Sequence, residues 1–183
     1  GRACLLIPIY DHGATIRGVV RSVLPLQIPI LVVNDGSHPG TRAVLDEIAR
    51  EQRGVEILHH DRNRGKGEAL KTGYRAAAAR GYTHVLQLDA DGQHDADDAQ
   101  RFLEAAKTNP EALVLGEPIF DDDAPKSRLY GRKLSVGMVW VATLSRVVRD
   151  PLCGYRVTPL APAIRLLDRV EMGDWMDFEP EIA

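Results

Sequence analysis

The sequence has only two cysteines, Cys4 and Cys153, and they stand in apolar or glycine-rich surroundings without metal-type spacing. Two such thiols make no disulfide framework, so a reducing compartment is expected. Excess positive charge is also lacking. With 23 basic and 26 acidic residues the net charge is −3, which leaves no global field to recruit nucleic acid. A polyanionic ligand must therefore be held by local groups. The longest uncharged stretch, Leu134 to Ser145, is bounded by Lys133 and Arg146 and falls well short of the roughly 20 residues that a membrane span needs. No transmembrane segment is read here. Gly1-Arg2 runs directly into a strand-like segment, without the charged, apolar and small-residue zones of a signal peptide. The expected setting is cytoplasmic. Repeats and low-complexity tracts are missing apart from Ala76 to Ala79, which suits a helix interior.

What is present is an alternation of two periods. Cys4-Leu5-Leu6-Ile7 is a continuous apolar run ended by Pro8, the pattern of a strand buried on both faces. Ile16, Val19, Val20 and Val23 then fall on one helical stripe, which Pro25 helps to stop. Ile30 to Val33 is a second buried strand; Val44, Leu45 and Ile48 mark the next helix; Val55 to Leu58 is a third strand. A helix from about Lys66 to Arg80 and a fourth strand, His84 to Leu88, follow. Strands and helices at this spacing imply βαβ units, hence an open, mostly parallel α/β sheet flanked by helices. After Asp98 the alternation weakens to one amphipathic helix, a short strand at Leu113 to Leu115, the acidic Asp121-Asp122-Asp123 loop and the basic Lys126 to Lys133 segment. This half reads as an elaboration, and residues 1–183 as a single domain. No cap signal closes the sequence after Glu181, which predicts that further helices follow in the whole protein.

In a parallel sheet, ligands collect beyond the carboxyl ends of the strands. The unusual clusters all fall there: Pro8-Ile9-Tyr10-Asp11, Asn34-Asp35-Gly36-Ser37, Asn63-Arg64-Gly65-Lys66-Gly67 and Asp89-Ala90-Asp91-Gly92-Gln93-His94. Any one loop of a purely structural chain would gather turn residues, but four loops at one edge point to a site. Asp89 and Asp91 are the sharpest pair, because alternate residues at a strand end can aim two carboxylates around one hard cation, completed by phosphate oxygens and water. An EF-hand counted from Asp89 fails, since its Gly belongs at the sixth position and its acid at the twelfth, where Gln100 stands. A Walker-type loop fails on Gly65-Lys66-Gly67-Glu68. An aspartyl-nucleophile phosphatase, a nucleotidyltransferase and a non-catalytic nucleotide-binding domain remain as alternatives.

The ordered series Pro8-Ile9-Tyr10, Val33 to Ser37, Asn63 to Gly67, Asp89 to Gln93 and Asp150-Pro151-Leu152-Cys153-Gly154-Tyr155-Arg156 resembles family 2 glycosyltransferases. Within that family it looks like the dolichol- or polyprenol-phosphate mannosyltransferase branch. The resemblance implies a GT-A-like nucleotide-diphospho-sugar transferase fold and a metal-dependent, inverting transfer of a hexosyl unit from a UDP- or GDP-linked donor. It implies that Pro8, Tyr10, Asp11 and Asp35 contact the donor, with Gly65 and Lys66 near it, and that Asp89, Asp91 and Gln93 bind Mg²⁺ or Mn²⁺. Arg128 and Arg132, four apart on a predicted helix, resemble the family's phosphate-binding arginines, as guanidinium forks suit phosphate oxygens. Asp150 and Asp177 are the candidate general bases. A lipid phosphate is the favoured acceptor, which implies peripheral association with the inner face of a membrane. Two positions depart from the family: Cys153 stands where Ser is common, and Asp11-His12 where Asn-Glu is usual. His59-His60-Asp61 is expected at the surface or in a cap, and Asp174 in a solvated turn.

Overall fold

A computed structural model describes residues 1–92, 96–116, 154–170, 172–174, 178 and 182. The four apolar runs become strands β1 (Ala3–Ile9), β2 (Ile30–Asn34), β3 (Val55–His59) and β4 (His84–Gln87), joined by helices α1 (Gly13–Val23), α2 (Pro39–Glu51) and α3 (Lys66–Ala79). Helix α4 (Ala96–Thr108) leads to β5 (Val114–Leu115), and β6 (Arg156–Pro159) runs into helix α5 (Leu160–Leu167). The six strands form one sheet in the order β3-β2-β1-β4-β6-β5. β1 to β4 pair in parallel, and β6 runs antiparallel to both β4 and β5.

Every residue of β1 after Ala3 is buried, and successive side chains enter opposite layers. Leu5, Ile7 and Ile9 join Val32 and Leu86 beneath α1, α2 and α4. Cys4 and Leu6 join Leu31, Val33 and Val85 against α3 and α5. The predicted stripe of α1 is the buried one, and each of Ile16, Val19, Val20 and Val23 contributes about 1.5–3 kcal/mol by leaving water. Pro25 falls in a short 3₁₀ turn, Leu24–Leu26, directly after α1, which turns the chain toward β2.

One local expectation is corrected. Pro8 does not end β1, because it pairs with Val33 within the β1–β2 ladder. In a parallel strand alternate residues bond to opposite neighbours, and the Leu5 amide and the Ile9 carbonyl both bond on the β2 side. The missing N–H of Pro8 therefore falls on the β4 side, beyond the last β1–β4 pair at Leu6 and Gln87, where no ladder bond is lost. The structure also adds a strand that the sequence does not predict, β6, between β4 and β5. A segment of Arg, Val, Thr and Pro carries no apolar run, yet all four residues are buried.

The strand order fixes where a ligand can sit. From β1 the chain winds outward through β2 and β3, then returns along α3 on the opposite face to place β4 on the other flank of β1. The direction of winding reverses between β1 and β4, and the crevice at such a switch point is the usual ligand site of an open α/β sheet.

Candidate active site

At that switch point lies a cleft of 360 Å³ lined from all four strand-end loops. Pro8, Ile9, Tyr10 and His12 come from β1, Asp35 from β2, Asn63, Gly65, Lys66 and Ala69 from the β3–α3 turn and the start of α3, and Asp89, Ala90 and Asp91 from β4. Tyr10 is 45% exposed, an aromatic ring held at the end of a rigid strand where a planar base can stack.

The Asp35 side is a tightly bonded corner. Asp35 is only 3% exposed. Its Oδ1 accepts from the Arg64 amide at 2.9 Å, and its Oδ2 from the Gly65 amide at 2.8 Å. Gly65 sits at φ +100°, a region that L side chains rarely adopt, and this conformation turns its N–H toward Asp35 while starting α3 at the next residue. The neighbouring Asn34 holds the same loop through its Oδ1, which accepts from the Ser37 amide at 3.0 Å.

The Asp89 side is charged. Lys66 Nζ lies 2.8 Å from Asp89 Oδ1, with both side chains about one quarter exposed. Thr15 of α1 donates to the Ala90 carbonyl at 2.7 Å, tying the turn between the two carboxylates to the helix after β1. Gly154 packs directly behind Asp89.

The start of α3 is anchored from below. Lys71 Nζ donates to the Met172 carbonyl at 3.0 Å and bonds Asp174, while Glu68 lies 3.2 Å away. Burial pulls the Lys71 pKa down, but the bonds to Asp174 and Glu68 outweigh it and the net shift is upward. The Asp174 carbonyl also accepts the Glu68 amide at 3.0 Å. Asp174 is thus a structural anchor rather than a purely solvated turn residue.

Of the residues singled out in the sequence, Pro8, Tyr10, Asp35, Gly65, Lys66, Asp89 and Asp91 line one cleft. Asp11 is not among the lining residues: at φ +55° its Oδ1 accepts from the His38 amide at 2.7 Å, and its own amide donates to Ser37 Oγ. Gln93, Arg128, Arg132, Asp150 and Asp177 lie outside the described residues. His60 departs from its surface expectation and is 8% exposed. His12 and Asn63 were not singled out as ligand contacts; their place in strand-end loops was the only available signal.

Two carboxylates are too few to cage a metal, and no group of three or more His, Cys, Asp or Glu gathers among the described residues. The donor set fits a hard cation that shares its coordination with ligand oxygens and water. The ammonium of Lys66 against Asp89 shows that this corner already accepts a cation.

The chain matches the model of the family described as Glycosyl transferase family 2 over residues 4–169, and it belongs to that family. It is 33% identical over 117 residues to a polyprenol monophosphomannose synthase of Mycolicibacterium smegmatis, covering 62% of this chain and 44% of the relative. It is 35% identical over 118 residues to an undecaprenyl-phosphate mannosyltransferase of Micrococcus luteus, covering 63% and 47%. A dolichyl-phosphate beta-glucosyltransferase of Trichomonas vaginalis is 36% identical over 134 residues, covering 70% and 40%. The chain thus spans under half the length of these curated relatives. Among solved structures it superposes on the mannosyltransferase PcManGT from Pyrobaculum calidifontis, in complex with GDP-Man and Mn²⁺, with a TM-score of 0.67 at 18% identity, over 100% of this chain and 52% of that one. S. aureus TarS gives a TM-score of 0.60 at 13% identity, over 92% and 49%. These likenesses establish the GT-A fold.

Proposed function

We propose that this chain binds a nucleoside-diphosphate sugar in the β1–β4 cleft and transfers its hexosyl unit to a polyprenyl phosphate with inversion at C1. The observation that carries the reading is the convergence of four strand-end loops on one cleft, with Asp35 contributed from the β2 flank of β1 and Asp89, paired with Lys66, and Asp91 from the β4 flank. The acceptor class comes from the relatives named for polyprenol, undecaprenol and dolichol phosphates. The GDP-Man complex of the Pyrobaculum enzyme supports the donor class.

The two flanks of the cleft suit different parts of such a donor. The base stacks on Tyr10 beside Pro8, and an N–H or ribose O–H donates to Asp35. The diphosphate lies toward Lys66, whose ammonium can exchange Asp89 for a phosphate oxygen. Asp89 and Asp91, with Gln93, would hold Mg²⁺ or Mn²⁺, which when bound offsets the charge growing on the departing diphosphate. In the transfer the bond from C1 to the diphosphate oxygen breaks as an acceptor oxygen bonds to C1 from the opposite face. Arg128 and Arg132 would hold the acceptor phosphate, which is already anionic near neutral pH and needs positioning more than deprotonation. A hydroxyl acceptor would instead need a base, with Asp150 or Asp177 in that role.

No helix of the described residues is long and apolar enough to cross a membrane. A lipid acceptor would bring the domain to a membrane surface, which this reading places at the cytoplasmic face. The reading is tested by incubating the full-length protein with radiolabelled GDP-mannose or UDP-glucose, Mn²⁺ and a short-chain polyprenyl phosphate. Label should move to the organic phase. Hydrolysis or nucleotidyl transfer in its place overturns the assignment.

A further inference from the structure

His60 is buried directly behind the donor-binding corner, and the reading above gives it no task. It follows β3, with Nδ1 2.7 Å from Asp35 Oδ1 and Nε2 3.0 Å from Thr72 Oγ1 on α3. The partners decide the tautomer. An ionised carboxylate can only accept, so Nδ1 carries the proton and donates to Asp35. In the neutral ring Nε2 is then an acceptor, and the Thr72 hydroxyl donates to it.

The consequence falls on Asp35. Its Oδ1 already receives the Arg64 amide, and its Oδ2 receives the Gly65 amide. With His60 added, three donors from two directions hold the carboxylate, and rotation about Cβ–Cγ would break all three. The lone pair left on Oδ2 is the part of Asp35 available to a ligand, and it accepts only an N–H or O–H. The two amides belong to the loop that lines the cleft, so they move with it. His60 is braced instead by β3 and α3.

We propose that His60 is a positioning residue for the donor nucleoside: through Nδ1–H it fixes the rotation of the Asp35 carboxylate, and Thr72 fixes the tautomer that allows this. The proposal rests on the reading that Asp35 contacts the nucleoside. It differs from a tie that merely joins β3 to α3, because such a tie needs only Nε2 on Thr72 and not the Nδ1–H given to Asp35.

Two isosteric substitutions separate these roles. Asn carries its amide nitrogen at the place of Nδ1 and keeps the bond to Asp35, whereas Gln reaches the place of Nε2 and keeps only the Thr72 side. Affinity for GDP and UDP in manganese buffer is measured by calorimetry, with thermal midpoints alongside. For the tighter nucleotide, His60→Gln should weaken binding about tenfold, as expected for one lost bond to a charged group, while His60→Asn stays within about twofold of wild type. Thr72→Val, a milder change that retains the packing, should weaken binding severalfold and serves if His60→Gln does not fold. Ring ¹⁵N shifts should show the neutral His60 protonated on Nδ1. Equal losses in the Asn and Gln variants, an unchanged Thr72→Val, or a neutral ring protonated on Nε2 overturn the proposal. Asp35→Asn distinguishes the levels. If it weakens nucleotide binding while His60→Gln does not, only the role of His60 falls; if Asp35→Asn has no effect, the nucleoside contact falls with it.

Discussion

Gly154 stands against the carboxylate of Asp89: a Cβ built on Gly154 would lie 2.3 Å from Asp89 Oδ2 and 2.8 Å from both Cγ and Oδ1. No side chain fits there without displacing the carboxylate. A glycine in the Cys153-Gly154-Tyr155-Arg156 segment is thus the back wall of the proposed metal site, reached from β6 rather than from the four strand-end loops.

Gly154→Ala should therefore weaken Mn²⁺-dependent nucleotide binding about 10- to 100-fold, the usual range for a residue that orients a metal ligand without touching the metal. Affinity for the nucleoside alone should be preserved, since the atoms that Gly154 crowds are those of Asp89 and not of Tyr10 or Asp35. Calorimetry on the Ala variant checks this, and equal losses for nucleoside and diphosphate would mean that the fold, not Asp89, had been disturbed.

Lys66, assigned to the diphosphate rather than the nucleoside, makes a second prediction. Lys66→Met removes the 2.8 Å partner of Asp89 and the proposed phosphate contact together. Diphosphate affinity should fall by roughly 1–2 kcal/mol, with nucleoside affinity unchanged. Competition titrations with GDP and guanosine, or UDP and uridine, measure the difference directly.

A third prediction concerns pH. Cys4 is fully buried in β1, and burial pushes its thiol from 9.0 up to about 12, with the Arg80 guanidinium opposing weakly. Above pH 9 the unfolded chain gives up this proton while the folded one keeps it. The folded state then binds more protons, so stability is complete below pH 9 and declines as pH rises toward 12 by about 1.4 kcal/mol per unit. Urea unfolding of wild type and Cys4→Ala at pH 8 and pH 10 isolates this component. The stability difference between them should narrow by about 1 kcal/mol; a constant difference rules it out.

The acceptor class yields a fourth. On a polyprenyl phosphate, Arg128→Ala with Arg132→Ala should reduce transfer more than Asp177→Asn, because an anionic phosphate gains little from a base. On a hydroxyl acceptor a positioned carboxylate contributes on the order of 10²- to 10⁴-fold, and the ranking would reverse. Initial rates and acceptor KM values for the variants decide between them.

Much of this site was legible because parallel strands buried on both faces announce themselves as uninterrupted apolar runs, and their ends mark the ligand edge. Cys4 to Ile7, Ile30 to Val33 and Val85 to Leu88 located the loops that carry Tyr10, Asp35 and Asp89. The sequence concealed contacts made across long separations by residues without a periodic signal. Arg156 is fully buried in a strand that no apolar run marks. Pro8 looked like a strand end because the missing ladder bond on its β4 side depends on where β4 stops. His60 looked like a surface residue because its partners, Asp35 and Thr72, lie 25 and 12 residues away. The bond from the His38 amide to the Asp11 carboxylate likewise joins residues 27 apart.

Asp89 and Asp91 are proposed to bind the diphosphate of a nucleotide donor through a shared divalent cation. The most direct measurement is calorimetric titration of GDP and UDP into wild type, Asp89→Ala and Asp91→Ala, each with Mn²⁺ and with EDTA. One nucleotide should bind wild type tightly only when Mn²⁺ is present, and both variants should lose that increment while keeping their circular dichroism spectrum. Nucleotide affinity that is the same in EDTA as in Mn²⁺, or the same in the variants as in wild type, would mean that Asp89 and Asp91 share no cation with the diphosphate.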